Sequence, residues 1–353
     1  MTILPPELWL RILHLAAQPD VDARADEHLP FQPTPTQRLG AHVALVARLV
    51  RVCRAWHNWL LPTLYENVEL GKGTISLPQH VRRVVLPYTS TTYDSHPNPA
   101  AVVEDLHQCA QVEVLCRPPA GVLVGKSFTG PPPVSLPSLQ RLEWCLIEDT
   151  DDPVQGGINS LVGFALACPN LRYLSLLLDG PASVCPNEQR IASMSKLETL
   201  RLSTRASWIV RSLSQYLVFP VLKTLILDHA TVYGFITPFM MDVGRTVTRL
   251  ELGDDTPFDI PSWLFNILHD FPVLQDLGYH FCVMKAPSPP PTHNRLRRIR
   301  LHPGKPAHRI RDDLYFHGQG EWPPFMQDPQ WQIVVESITA QGRDVALGWE
   351  ESR

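Results

Sequence analysis

Cys168-Pro169-Asn170-Leu171-Arg172-Tyr173-Leu174-Ser175-Leu176 contains the pattern on which the fold turns. Leu174 and Leu176 alternate with Tyr173 and Ser175, the period of two expected of a strand with one buried face. Leu171, three residues upstream, extends the apolar side, so the unit is apolar-x-x-apolar-x-apolar. Pro169 has no N–H to donate and cannot continue a preceding helix, so it marks the joint at which an incoming segment becomes a strand. Phe219-Pro220-Val221-Leu222 and Phe271-Pro272-Val273-Leu274 open their units in the same way.

The unit recurs at Val81, Val84, Leu86; Leu139, Leu142, Trp144; Leu171, Leu174, Leu176; Leu197, Leu200, Leu202; Leu222, Leu225, Leu227; Val247, Leu250, Leu252; Leu274, Leu277, Tyr279; and Leu296, Ile299, Leu301, with a fainter copy at Val112 and Leu115. From unit to unit the step is about 22 to 32 residues, which resembles the spacing of leucine-rich repeats. Each unit then supplies one short strand that stacks on the next. Stretches such as Ser160–Ala167 and Ser262–Leu268 are predicted to form an outer helical or irregular layer. The usual ladder asparagine is missing and the repeat length varies, so the resemblance implies an irregular α/β solenoid.

Alternation predicts that the neighbours of the repeat leucines lie on an open concave face. Those neighbours are Tyr173 and Ser175, Thr199 and Arg201, Thr224 and Asp228, Arg249 and Glu251, Asp276 and His280, and Arg298, Arg300 and His302. Tyr173, Arg201, Arg249, Arg298 and Arg300 are the candidate target-binding residues. Arg295, Arg297, Arg298, Arg300, Lys305, Arg309 and Arg311 form a local basic cluster. It fits either an acidic or phosphorylated partner, since arginine pairs bidentately with carboxylate and phosphate, or a solvated edge that offsets Glu148–Asp152 or Asp312-Asp313.

Ahead of the repeats, Leu4, Leu8, Ile12 and Leu15 form one helical stripe in a segment entered through Pro5-Pro6-Glu7. Two prolines suit a first helical turn, and Glu7 suits the positive end of the dipole. A second helix is predicted where Val43, Val46, Leu49, Val50, Val52, Cys53, Trp56, Leu60 and Leu64 follow one another. That band is too wide for one small intramolecular partner, so part of it is predicted to face another chain.

Leu4-Pro5-Pro6-Glu7-Leu8 with Ile12-Leu13, Leu49-Val50-Arg51-Val52-Cys53-Arg54-Ala55-Trp56, and Leu64-Tyr65 with Val68 and Leu70 together resemble the F-box, the docking motif for the Skp adaptor of cullin-type ubiquitin ligases. The departure is a segment rich in Pro, Asp and Gln, from Gln18 to His42, between the two helices. By this resemblance Leu4, Pro5, Leu8, Ile12, Leu49, Val52, Cys53 and Trp56 are adaptor-facing or motif-core positions. Together with the repeats, it implies a non-catalytic substrate receptor, bound to a Skp-type adaptor and through it to a cullin, that holds an unknown target protein. The alternative is an F-box and leucine-rich-repeat protein that works with the adaptor outside ubiquitin ligation.

The expected architecture is α+β overall. A small all-α F-box domain occupies 1–70, with an insertion at about 18–42, and an irregular leucine-rich-repeat solenoid occupies 71–325. In the C-terminal cap at 326–353, Trp331, Ile333, Val334, Val335 and Ile338 are predicted as a helix and Val345-Ala346-Leu347 as a last strand.

Composition narrows the function classes. A net charge of -4 over 353 residues, with a pI of about 6.4, gives no general pull toward nucleic acid or an anionic membrane. Seven scattered cysteines without Cys-x-x-Cys spacing favour reduced structural thiols over disulfides or zinc, and no stretch is long and apolar enough to span a bilayer. A cytoplasmic or nuclear protein is expected. Gly121-Val122-Leu123-Val124-Gly125-Lys126-Ser127 has three residues between its glycines where a phosphate-cradling loop needs four. There is no His-Glu-x-x-His and no Gly-x-Ser-x-Gly, and the acidic run at 148–152 lacks the alternation of a calcium loop. Pro287-Ser288-Pro289-Pro290-Pro291 suits a spacer between repeats better than a polyproline ligand. No enzyme activity, cofactor or metal is expected.

Overall fold

The computed structural model describes residues 5–17, 35–70, 75–86, 99–117, 135–147, 168–179, 192–204, 217–229, 239–253, 267–280, 293, 295–302 and 332–335. Helix α1 spans Pro6–Ala16, α2 Pro35–Leu49 and α3 Arg54–Tyr65. Pro5 caps α1, and Glu7 lies in its first turn. The helix predicted across residues 43–64 is in fact two. Cys53 adopts an extended conformation, φ -159° and ψ 168°, and caps α3. Val50 and Val52, both β-branched, flank this break and make continued helix less favourable. Helix α2 begins inside the segment set aside by the sequence as an insertion; residues 18–34 lie outside the described ones.

The three helices share a small core. Leu13 and Ala17 from the end of α1, Val46 from α2 and Leu60 from α3 are buried together, with Leu49, Val50, Trp56, Trp59 and Leu64 packed around them. The Trp9 and Trp56 rings meet at 5.6 Å between centroids, a tilted aromatic contact that ties α1 to α3.

The remaining elements are β1 Asn67–Glu69, β2 Arg83–Val85, α4 Pro99–Gln108, β3 Val114–Arg117, β4 Arg141–Ile147, β5 Tyr173–Asp179, β6 Ala192–Ser193, β7 Thr199–Thr204, β8 Leu217–Val218, β9 Thr224–His229, β10 Arg249–Leu252, β11 Asp276–His280, β12 Arg298–His302 and β13 Gln332–Val335. Eleven of these strands form one sheet in chain order, while β6 and β8 pair separately. Every pairing in the large sheet is parallel. Parallel neighbours cannot be joined by a hairpin, so each connection crosses over. The chain is therefore a mixed fold, with three helices ahead of a long parallel sheet and a fourth between its second and third strands.

Register explains the core. Val84, Leu115, Leu142, Leu174, Leu200, Leu225, Leu250 and Leu277 occupy one line across the sheet, and all are buried. Burying each such leucine contributes on the order of 1.5–3 kcal/mol. The faint unit at Val112 and Leu115 is a full member, with strand β3 in register and both residues buried.

The backbone repeats as regularly. A carbonyl ahead of each strand accepts two successive N–H groups from the next unit: Glu66 from Arg82 and Arg83, Arg82 from Glu113 and Val114, Gln140 from Arg172 and Tyr173, Glu198 from Lys223 and Thr224, and so on to Gln275. The lead-in turns repeat too, with Leu139 N–H donating to Leu136, Leu171 to Cys168, Leu197 to Met194 and Leu274 to Phe271. In the unit of Leu296 a side chain takes over: His293 Nδ1 accepts the Leu296 N–H at 2.9 Å, while Nε2 sits 2.9 Å from the Phe271 carbonyl.

At the end of the sheet, residues 332–335 are strand β13, paired with β12, which corrects the helix predicted there. Ile333, Val334 and Val335 are consecutive β-branched residues, which suit a pleated strand better than a helix. Residues 338 and 345–347, and with them the predicted last strand, lie outside the described residues. So do 121–127, 148–152, 160–167, 262–266, 287–291 and 305–311.

Candidate functional site

Two surfaces carry the residues singled out by the sequence. The first is the outer face of the helices. Leu8, Ile12 and Leu15 lie on one side of α1 at 45%, 45% and 60% exposure, while Leu13 on the opposite side is buried. Val52, in the turn between α2 and α3, is 59% exposed, and Leu45 on α2 is exposed as well. Cys53 is an exposed free thiol. Of the predicted adaptor positions, Leu8, Ile12, Val52 and Cys53 are therefore exposed and Pro5 caps an exposed helix end. Leu49 and Trp56 are half-buried against the helical core. Leu4 lies outside the described residues. Leu15 and Leu45 belong to the same exposed apolar set and were not assigned by the motif.

Arginines neighbour this apolar set in the sequence. Arg11 on α1, Arg48 on α2, Arg51 in the turn and Arg54 at the start of α3 are all exposed. Among the described residues none of the four meets a carboxylate. The sequence signal for this is plain once sought: residues 35–65 contain Arg38, Arg48, Arg51 and Arg54 and neither Asp nor Glu.

The second surface is the face of the sheet opposite the leucine line. The sequence predicts it open, but over the central strands it is buried: Tyr173 is 1% exposed, Thr199 8%, Arg201 9%, Asp228 8% and Glu251 0%. Parallel sheets are ordinarily covered on both faces, and alternation identifies which side a residue points to without saying whether that side meets water. Arg249 is partly buried, and the Arg298 side chain is 46% exposed. Arg300 lies beside Gly278 and Val334 in the register.

Here the charged groups neutralise one another. Arg141 Nε donates to Glu143 Oε1 at 2.8 Å and Arg249 Nε to Glu251 Oε1 at 2.8 Å, each pair sharing one strand two residues apart. Arg201 joins Asp228 across neighbouring strands through both Nε and Nη2, each at 2.8 Å. Arg298 reaches Asp276 at 3.5 Å. The Arg141 guanidinium also lies 4.1 Å from the Tyr173 ring centroid. A bulge between β7 and β9 helps: Leu202 pairs with Leu227 but Ser203 with His229, leaving Asp228 as the extra residue. Gly253 makes room for it, because a Cβ there would fall 1.9 Å from the Asp228 carbonyl oxygen.

The titrating groups follow this burial. The Tyr173 hydroxyl is raised, by burial above all, with Arg141 and Arg201 pulling it back. Burial alone would lower Arg201, but Asp228 and Tyr173 outweigh it and the guanidinium is held more firmly protonated. Burial pushes Cys116 up to about 12, Glu143 adding to the effect, while Arg83 donates to its sulfur at 3.1 Å and opposes it.

No protein-family model matches this chain, and no curated protein matches it. Among the described residues no group of three or more His, Cys, Asp and Glu could hold a metal ion, and no helix is long and apolar enough to cross a membrane. The helical face offers exposed apolar side chains with free positive charge. The central sheet face offers closed ion pairs.

Proposed function

We propose that this chain is the substrate receptor of a Skp, cullin and F-box ubiquitin ligase, with an F-box at its N-terminus and an irregular leucine-rich-repeat solenoid after it. The observation that carries the proposal is the division of labour within α1 and the α2–α3 turn. Leu8, Ile12, Val52 and Cys53, positions given to the adaptor by the motif resemblance, lie on the outside, while their neighbours Leu13, Val46 and Leu60 build the core. An apolar helix face left in water is a docking surface in want of a partner. The parallel sheet in chain order, with its recurring leucine line and backbone rungs, supports the solenoid.

In this role the protein makes and breaks no bonds. It holds a target with the sheet domain and the ligase with its helices, raising the effective concentration of a target lysine near the charged ubiquitin carrier. A docking contact of ordinary size buries about 800 Å² on each partner. With the Arg201 and Arg249 side chains engaged in internal pairs, Arg298, 46% exposed beside Asp276, is the most accessible described member of the target-facing set.

The test is capture of the adaptor by the full chain from co-expressing cells. Leu4→Ala with Pro5→Ala abolishes capture and leaves the sheet folded; undiminished capture overturns the proposal. Capture of the adaptor without recruitment of a cullin, and with no protein's lifetime altered, assigns the chain to adaptor complexes outside ubiquitin ligation.

A further inference from the structure

We infer that the partner surface receiving these helices is an apolar groove rimmed by carboxylates, and that it is drawn to the helices by charge as well as by apolar contact. The inference rests on the proposed docking role and adds the chemistry of the partner. Among the described residues, several arginines of the sheet region are engaged within the chain, whereas those of the helices are not. On the sheet, Arg82, Arg141, Arg201, Arg249 and Arg298 each lie within ion-pair distance of a carboxylate supplied by the same chain. On the helices, Arg11, Arg48, Arg51 and Arg54 lie exposed with no carboxylate near them among the described residues, although the chain as a whole is acidic by four charges.

These free guanidiniums are interleaved with the exposed apolar residues. Arg11 stands between Leu8 and Ile12 on the outer face of α1, Arg48 one turn after Leu45 on α2, and Arg51 and Arg54 on either side of Val52 and Cys53. The described acids of the three helices are Glu7 on α1 and, at the far end of α3, Glu66. A partner offering only apolar surface would bury or crowd these charges unpaired, which is costly. A partner with Asp or Glu around an apolar groove satisfies both. It also gains from long-range attraction, which acts mainly on the rate of association and is screened by salt.

The test uses the full chain and the purified Skp adaptor of the same organism, with association and dissociation rates followed from low to high salt. Arg51→Glu with Arg54→Glu lowers the association rate at least tenfold at low salt and flattens its salt dependence, with a smaller change in dissociation. Leu8→Ala with Ile12→Ala does the reverse, speeding dissociation and sparing the salt dependence. Because the substituted arginines are exposed and meet no carboxylate among the described residues, the thermal midpoint is unchanged, which separates lost attraction from misfolding. An association rate indifferent to salt and to the charge reversal, in a wild-type chain that binds the adaptor, overturns the inference alone. Failure of the wild-type chain to bind the adaptor at any salt overturns the docking role, and this inference with it.

Discussion

The helices and the sheet use the same residue types to opposite ends. On the sheet, the leucine line is buried in register and Arg141, Arg201 and Arg249 are paired with carboxylates of the same chain; on the helices, Leu8, Ile12 and Leu15 are exposed, and Arg11, Arg48, Arg51 and Arg54 meet no carboxylate among the described residues. The thiols divide in the same way, with Cys53 exposed and Cys109, Cys116 and Cys168 buried. What this teaches is that the described sheet residues are engaged within the chain, while the outer helical face stays open to solvent. Substitutions in the sheet should therefore act on stability, and those on the helical face on association.

The largest effect should come from breaking a buried pair on the sheet. Asp228→Ala leaves the Arg201 guanidinium buried without its carboxylate, and loss of one partner of such a pair costs about 3–5 kcal/mol. Chemical denaturation checks this. A double replacement, Arg201→Met with Asp228→Leu, should recover most of the loss, because the expense lies in the stranded charge and not in the missing attraction. If the single substitution is as mild as one on the helical surface, the contrast between the two regions fails.

A smaller loss is expected where the helical region does build a core. Trp56 is half-buried, in tilted contact with the Trp9 ring and packed against the core that contains Leu60. Trp56→Ala should cost about 2 kcal/mol, below the range for a fully buried aromatic. Near-ultraviolet circular dichroism would show the Trp9 environment change along with it.

Alkaline pH should act on the buried thiols of the repeat region. Burial holds Cys116 and Cys168 at about 12 and Cys109 at about 11, against about 9 for an ordinary thiol. Between these values the unfolded chain has released protons that the folded chain retains. The contribution is thus whole below pH 9, falls as pH rises, and is gone above the folded values. The slope is about 1.4 kcal/mol per pH unit for each thiol. Cys116→Ala should remove one share of that slope, measurable as the shift in denaturation midpoint between pH 8 and 10.

The leucine line was legible in the sequence because a strand with one buried face writes period two directly into the residue order, as in Leu174 and Leu176. The start of α1 was legible for the same local reason, with Pro5-Pro6-Glu7 fitting only a first turn. The break at 50–53 was not, since Val46, Val50, Cys53, Trp56 and Leu60 keep helical spacing straight through it and the turn is set by packing of α3 on α2. Residues 331–338 carry an apolar pattern that either a helix or a strand can use; for 332–335, pairing with β12 decides for the strand. The closed face of the sheet was hidden because coverage is a tertiary property. Arg141-x-Glu143 and Arg249-x-Glu251 were visible as neighbours, whereas Arg201 finds Asp228 only through a bulge 27 residues away.

The smallest effect on stability should belong to the residues on which the docking proposal depends most. Leu8 and Ile12 each keep nearly half of their surface in water in the free chain. Truncating them to Ala therefore removes little that folding had buried, and alanine is at least as good a helix former as either. Leu8→Ala with Ile12→Ala should shift the unfolding free energy by less than about 0.5 kcal/mol, the range of ordinary surface substitutions, while weakening capture of the adaptor. A loss of several kcal/mol would mean that the outer face of α1 is covered within this chain, and the two regions would then differ in degree only.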